Sequence, residues 1–133
     1  MDESGAGTAP STLHQQVIAS LRQNGAWPTY VKLLETLRTK PNDLAIRGLI
    51  EIVRCTMVRD FVAKANRLKI VPRLSPEFLS DFDRFDLNVQ EGYLVSLIDA
   101  RSNLESLLKL SPFDPFTTLF TFALLELKGA VTL

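Results

Sequence analysis

The sequence is poor in the side chains that build reactive sites. Its 133 residues include one cysteine, Cys55, and one histidine, His14. A single cysteine excludes an intrachain disulfide and favours a reducing compartment, so we expect a cytoplasmic protein. Cys55 has apolar neighbours in a predicted helix, and we expect its thiol to be buried and inert. His14 has no partner at ligand spacing, which argues against a metal site and against histidine-based catalysis.

The chain also lacks the motifs of common enzymes. It contains no G-x-G-x-x-G, no phosphate-binding P-loop and no G-x-S-x-G nucleophile turn. The acidic run Asp81, Asp83 and Asp86 has neither the glycine nor the twelfth-position glutamate of a calcium loop. We therefore predict that the protein is not an enzyme, with no catalytic residue, no cofactor and no metal.

Long apolar runs are missing as well. No stretch approaches the ~18–20 apolar residues that a membrane-spanning helix needs. The first residues, MDESGAGTAPST, lack the basic and apolar regions of a signal peptide. We expect no membrane span, and we expect residues 1–10 to be disordered because they have little apolar surface to bury.

Charges of the two signs cancel over the whole chain but are unevenly distributed along it. Arg22 to Arg73 holds eleven basic and four acidic residues, a net charge of +7. Leu74 to Leu133 holds four basic and nine acidic residues, a net charge of −5. Six cations at the end of the basic stretch are the candidate partner-binding residues: Arg54, Arg59, Lys64, Arg67, Lys69 and Arg73.

Two interpretations of this asymmetry stay open. In the first, the six cations contact another protein that is acidic at the contact. In the second, the two halves pair with each other, either within one chain or between the subunits of a homo-oligomer. Salt dependence distinguishes exposed charges from internal ones, because exposed pairs are screened over ~8–10 Å.

Apolar residues recur at three- and four-residue steps along most of the chain, which predicts an all-α, mainly helical fold. In segment 11–71 we predict three helices, arranged as a bundle or a hairpin. The first begins at Ser11 or Thr12 and ends at Asn24-Gly25, and the third runs from about Asp43 to Leu68. Residues 72–133 form a second module packed on the first, or the two share one core.

The last helix has the clearest boundaries. Asp114 is the predicted N-cap with Pro115 in the first turn, and Lys128 and Gly129 end the helix. Residues 130–133 then read as a short strand or an extended tail. The helix before it is predicted to start at Ser102, where Ser102 and Glu105 have capping-box spacing. Helix, helix, turn and longer helix followed by a strand is the order of a helix-turn-helix opening into a degenerate winged helix.

An acidic segment with aromatic residues precedes these helices. Phe78, Leu79, Phe82 and Phe85 lie among Glu77, Asp81, Asp83 and Asp86. Their spacing favours docking of the phenylalanines on the core, with the acids in water. The alternative is an acidic-aromatic docking surface.

The C-terminal part resembles a known module at four places: Leu74–Glu77, Ile98–Arg101, Leu107–Pro112 and Leu124–Val131. It is similar to the winged-helix-like module that accompanies PATAN (DUF4388-type) and receiver domains in bacterial signalling proteins. The similarity covers about sixty residues. It departs at Ala100, where that family usually has glycine. The resemblance implies a regulatory role and carries over no catalytic or ligand-binding residue.

Three functions follow as hypotheses. The first is a non-enzymatic regulatory or adaptor protein that acts through protein–protein interaction. The second is a DNA-binding helix-turn-helix regulator, and the third is a structural subunit of a larger assembly. Specific binding to duplex DNA is disfavoured, because Asp114–Lys128 offers threonines and acids where a recognition helix needs Arg, Lys, Asn or Gln.

Overall fold

The computed structural model describes the backbone of residues 5–64 and 66–133 and the side chains of residues 12–64 and 66–133. Within these residues the prediction of a mainly helical protein is confirmed. The helices are α1 Gly5–Asn24, α2 Ala26–Thr39, α3 Leu44–Ala63, α4 Pro76–Ser80, α5 Val89–Leu97, α6 Leu104–Leu110 and α7 Pro115–Lys128. Two short strands, β1 Arg73–Leu74 and β2 Val131–Thr132, and two 3₁₀ turns, Arg67–Lys69 and Phe82–Phe85, complete the regular structure.

The chain divides into two compact units, Met1–Met57 and Val58–Leu133. The division falls within α3, whereas the boundary predicted at 71/72 lies inside the second unit. The first unit has six basic and five acidic residues, and the second has nine basic and ten acidic residues. The +7 and −5 stretches of the sequence therefore do not correspond to the two units, and each unit is nearly neutral.

In the first unit, α1 and α2 pack together as a helical hairpin. The Ser20 and Thr29 hydroxyls share a hydrogen bond of 2.7 Å between the two helices. The predicted stop at Asn24-Gly25 is confirmed, with Gly25 at φ 87°, where a side chain would be strained. The predicted start of α1 was wrong: the helix begins at Gly5 and continues through Pro10. Of the segment predicted to be disordered, residues 1–4 lie outside the described residues.

Helix α3 begins where the sequence predicted, because the Asp43 carboxylate accepts the N–H groups of Ala45 and Ile46 at 2.9 and 3.2 Å. Six residues of its predicted apolar face are buried: Ile46, Leu49, Ile50, Val53, Met57 and Phe61. The seventh, Ala65, lies outside the described residues. The predicted end at Leu68 was wrong, since the helix ends at Ala63 and Asn66 turns left-handed at φ 58°. Asparagine tolerates this conformation better than most residues.

The prediction for Cys55 was also wrong, because its side chain is exposed. Val53 and Met57 are buried on either side of it along the chain. Each residue of a helix advances about 100°, so a position two residues from both lies on the opposite face. Apolar sequence neighbours were therefore a misleading guide to its burial.

The core of the second unit is built from α3, α4, α5, α6, α7 and β2. Its most deeply buried side chains have no measurable exposure: Leu94, Leu104, Leu107, Phe122, Leu125 and Ala130. Phe61, Phe78, Ala123 and Val131 complete the buried cluster. Helix α7 supplies the largest share of these residues, as the sequence predicted for a helix that is apolar on most of its surface.

Helix α7 has both predicted caps. Asp114 accepts the N–H of Thr117 at 3.0 Å and its hydroxyl at 2.6 Å, and these bonds lower the pKa of the Asp114 carboxyl, with the hydroxyl as the larger cause. Gly129 closes the helix at φ 82°. Residues 131–132 pair antiparallel with β1, Val131 opposite Leu74 and Thr132 opposite Arg73. The predicted C-terminal strand is thus confirmed.

The capping box predicted at Ser102 and Glu105 was wrong. Asn103 caps α6 by accepting the N–H of Ser106 at 2.9 Å. The Asp99 carboxylate accepts the N–H groups of Ser102 and Arg101, which lowers its pKa. Ser102 therefore belongs to the preceding turn. In that turn Ala100 has φ 60°, so its backbone is left-handed although it is not a glycine.

Candidate protein-interaction site

The six candidate cations have different environments. Arg54 belongs to the first unit and forms an ion pair of 2.8 Å with Glu51, three residues away on the same helix. The other five belong to the second unit. The structure therefore does not place all six in one compact unit.

Arg67 is a core residue, with a relative exposure of 4%. Its Nε donates to the Phe61 carbonyl oxygen at 3.2 Å, and its guanidinium lies 4.5 Å from the centre of the Phe61 ring. Its Nη1 donates to Glu126 at 3.3 Å. A side chain held in this way cannot contact a partner, so Arg67 is removed from the candidate surface.

Lys64 and Lys69 are exposed but have acidic neighbours from the C-terminal half. Lys69 contacts Glu105 at 2.8 Å, and this hydrogen bond and charge lower the pKa of the Glu105 carboxyl. Lys64 lies 4.0 Å from Glu126. These contacts agree with the interpretation in which basic and acidic stretches pair within one chain. Exposed pairs of this kind contribute little to stability, so the two lysines stay accessible.

Arg59 and Arg73 complete the set. The Arg59 side chain is 74% exposed, and its nearest charged partner is the adjacent Asp60 at 3.5 Å. Arg73 is exposed on β1. Of the candidate cations in the second unit, the exposed ones are therefore Arg59, Lys64, Lys69 and Arg73.

One charged pair was missed by the sequence interpretation. Glu91 on α5 is only 1% exposed, and its carboxylate contacts Lys128 on α7 at 2.8 Å. Glu91 Oε1 also accepts the N–H of Asn88 at 3.0 Å, and Asn88 in turn accepts the N–H of Glu91 at 2.8 Å. This is a complete capping box, and its N-x-x-E spacing was readable from the sequence. The ion pair joins α5 to α7, and because Glu91 is buried it does not belong to the exposed surface.

The acidic-aromatic segment, Glu77–Asp86, combines buried and exposed apolar side chains. Phe78 is buried, and Phe85 packs against it edge-on with ring centres 5.2 Å apart. Leu79 and Phe82 are 66% and 63% exposed. The prediction that the phenylalanines dock on the core is thus confirmed for Phe78 and Phe85 and is wrong for Phe82.

The four acids of this segment differ from the other acids of the second unit. The carboxylates of Glu77, Asp81, Asp83 and Asp86 accept no hydrogen bond and form no ion pair with any described residue. Six other acids of the unit each have a hydrogen-bond or ion-pair partner: Asp60, Glu91, Asp99, Glu105, Asp114 and Glu126. Uncompensated negative charge in this unit is therefore concentrated in one segment of ten residues.

Two further findings concern other kinds of site. Within residues 5–64 and 66–133, no group of three or more His, Cys, Asp or Glu side chains could hold a metal ion. No helix in the described part of the chain is long and apolar enough to cross a membrane.

Comparison with protein-family models, with curated proteins and with solved structures found no match to this chain. The class of the protein is thus defined by its own structure: a mainly helical chain of two compact units, the second of which also contains a short two-stranded antiparallel sheet.

Proposed function

We propose that this protein is a non-enzymatic regulatory adaptor that acts by binding other proteins. The observation that carries the proposal is that Leu79 and Phe82, three residues apart in one acidic segment, are each left about two-thirds exposed. Apolar side chains exposed together and rimmed by polar groups mark interaction surfaces in soluble proteins.

The regulatory part of the proposal, and a role in bacterial signalling, rest on the resemblance of residues 74–131 to the winged-helix-like module. The left-handed turn at Ala100 supports it, because a family glycine at that position needs the same backbone conformation. The strand that follows α7 and Gly129 supports it as well. The cytoplasm is the proposed location.

The exposed cations are the first proposed contact surface. Arg59, Lys64, Lys69 and Arg73 would meet a protein that is acidic at the contact, since charge complementarity raises the rate and selectivity of association. Arg67 would support this surface from below by holding the turn Arg67–Lys69 to α3.

The alternative of a DNA-binding regulator has little support in α7. Of its polar side chains, Thr118 and Thr121 are buried, and Lys128 is paired with Glu91. Such a helix offers few groups that could reach base edges. The other alternative is a structural subunit of a larger assembly, which would also bind its neighbours through exposed surfaces.

The test is affinity capture from the native cell with matched charge variants, followed by mass spectrometry. The R59E/R73E variant should lose a partner that the wild-type protein retains. The control R22E/R38E reverses two exposed cations of the first unit and should retain that partner. If the wild-type protein retains no protein partner and instead binds duplex DNA selectively in high salt, the regulator alternative replaces the adaptor.

A further inference from the structure

The exposed apolar pair of the acidic-aromatic segment is held on a fixed support. The Phe82 ring lies 6.4 Å from the ring of Phe78, which is buried in the core. Ser75 caps α4 by accepting the N–H of Phe78 at 3.1 Å, and Ser75 is itself buried. Leu79 is therefore presented on an anchored helix, and Phe82 on the 3₁₀ turn that follows it. A pre-ordered surface loses less conformational entropy on binding.

The charge around this pair is mostly negative. Between Glu77 and Asp86 there are four acids and one cation, Arg84, a net charge of −3. Arg84 lies over the Phe85 ring at 5.0 Å and forms no ion pair with any described acid. Any occupant of the surface must therefore meet negative charge as well as apolar side chains.

We propose that the Glu77–Asp86 surface binds a basic amphipathic segment of another protein. One or two large apolar side chains of that segment would cover Leu79 and Phe82, and flanking lysines or arginines would neutralise Glu77, Asp81, Asp83 and Asp86. This proposal rests on the proposed adaptor function and adds a second contact of opposite charge to the cationic one.

The same charges disfavour the other occupants. In a symmetric dimer through this face, the four acids of one copy would approach the same acids of the other copy. An acidic protein or a nucleic acid would be repelled for the same reason. A basic segment gains from both the apolar and the ionic contacts, so it is the occupant that this surface fits.

The test uses the full chain and two synthetic peptides of about 18 residues, long enough to form an amphipathic helix on binding. One peptide carries leucines on one face and lysines elsewhere, and the other has glutamates in place of the lysines. Fluorescence anisotropy measures affinity, and ¹H–¹⁵N chemical-shift changes locate the contact. The variants are L79S/F82S and D81N/D83N/D86N, with V89S/L110S as the control, since Val89 and Leu110 are also exposed.

We expect the lysine peptide to bind with its largest shift changes in residues 77–86, and the glutamate peptide to bind far more weakly. Each of the two surface variants should weaken the lysine peptide at least about tenfold, while the control leaves it unchanged. Added salt should weaken binding further. Absence of binding, equal binding of both peptides, or equal loss in the control overturns the proposal.

A second copy as the occupant is tested by sedimentation equilibrium. A concentration-dependent dimer that L79S/F82S abolishes would assign the surface to self-association and overturn the proposal. The adaptor function fails by a different result, namely that the wild-type protein captures no cellular protein. The two failures are therefore distinguishable.

Discussion

Two regions of the second unit contain the same kinds of residue but differ in how far these residues are buried and paired. In the helical core of α5, α6 and α7, Phe122 and Leu94 are completely covered, and the buried acid Glu91 is paired with Lys128. In the Glu77–Asp86 surface, Phe82 and Leu79 are exposed, and the acids have no partner among the described residues. Composition alone therefore does not separate core from surface in this unit. What separates them is whether each apolar and charged group is satisfied within the chain.

The two regions should differ most in the loss of unfolding free energy when a phenylalanine in each is replaced by alanine. Phe122→Ala should lower the free energy of unfolding by about 3–5 kcal/mol, because it leaves a cavity in a fully buried site. Phe82→Ala should lower it by less than about 1 kcal/mol, because the ring is mostly in water. Urea unfolding followed by circular dichroism measures both. Similar losses at the two positions would mean that Phe82 is a core residue.

A second comparison uses two arginines of the candidate set. Arg67→Met should cost about 2–3 kcal/mol, since it removes the donor to the Phe61 carbonyl and leaves Glu126 without that partner. Arg59→Met should change the free energy of unfolding by less than about 0.5 kcal/mol, because its pair with Asp60 is exposed. The same urea titrations apply. An R67M protein as stable as the wild type would show that Arg67 is not needed in the core. Arg67 would then be counted again among the candidate cations of the contact surface.

The smallest effect concerns the left-handed turn before α6. Ala100→Gly should stabilise the protein by about 0.5–1 kcal/mol, because glycine adopts a positive φ without strain. Part of that gain is offset, because glycine has more conformational entropy in the unfolded chain. Ala45→Gly in α3 is the matched control and should destabilise by about 1 kcal/mol. Thermal melts distinguish the opposite signs. A destabilising A100G would mean that this turn is not left-handed.

Features set by neighbouring residues could be predicted from the sequence. Asp114, Pro115 and Gly129 define α7 through local capping bonds, and Asp43 defines the start of α3 in the same way. The box at Asn88 and Glu91 is equally local, and its N-x-x-E spacing could have been read from the sequence.

Features set by distant residues could not be predicted in this way. The Lys128–Glu91 and Arg67–Glu126 contacts join residues 37 and 59 positions apart. Charge counts along the chain gave the two stretches of opposite sign but not which charges would meet. The exposure of Phe82 has a different origin. Its spacing from Phe78 and Phe85 suits one continuous helix, whereas the chain breaks into α4 and a separate 3₁₀ turn.

The central claim is that the acids of the Glu77–Asp86 surface are unused by the fold and available to a partner. The most direct measurement is the free energy of unfolding of D81N/D83N/D86N in low and in high salt. If the acids only repel one another, the variant should equal or exceed the wild-type protein in low salt, by no more than about 1 kcal/mol, and salt should remove the difference. A variant less stable than the wild-type protein by more than about 1 kcal/mol in both salts would show that these carboxylates hold the fold together, and would contradict the claim.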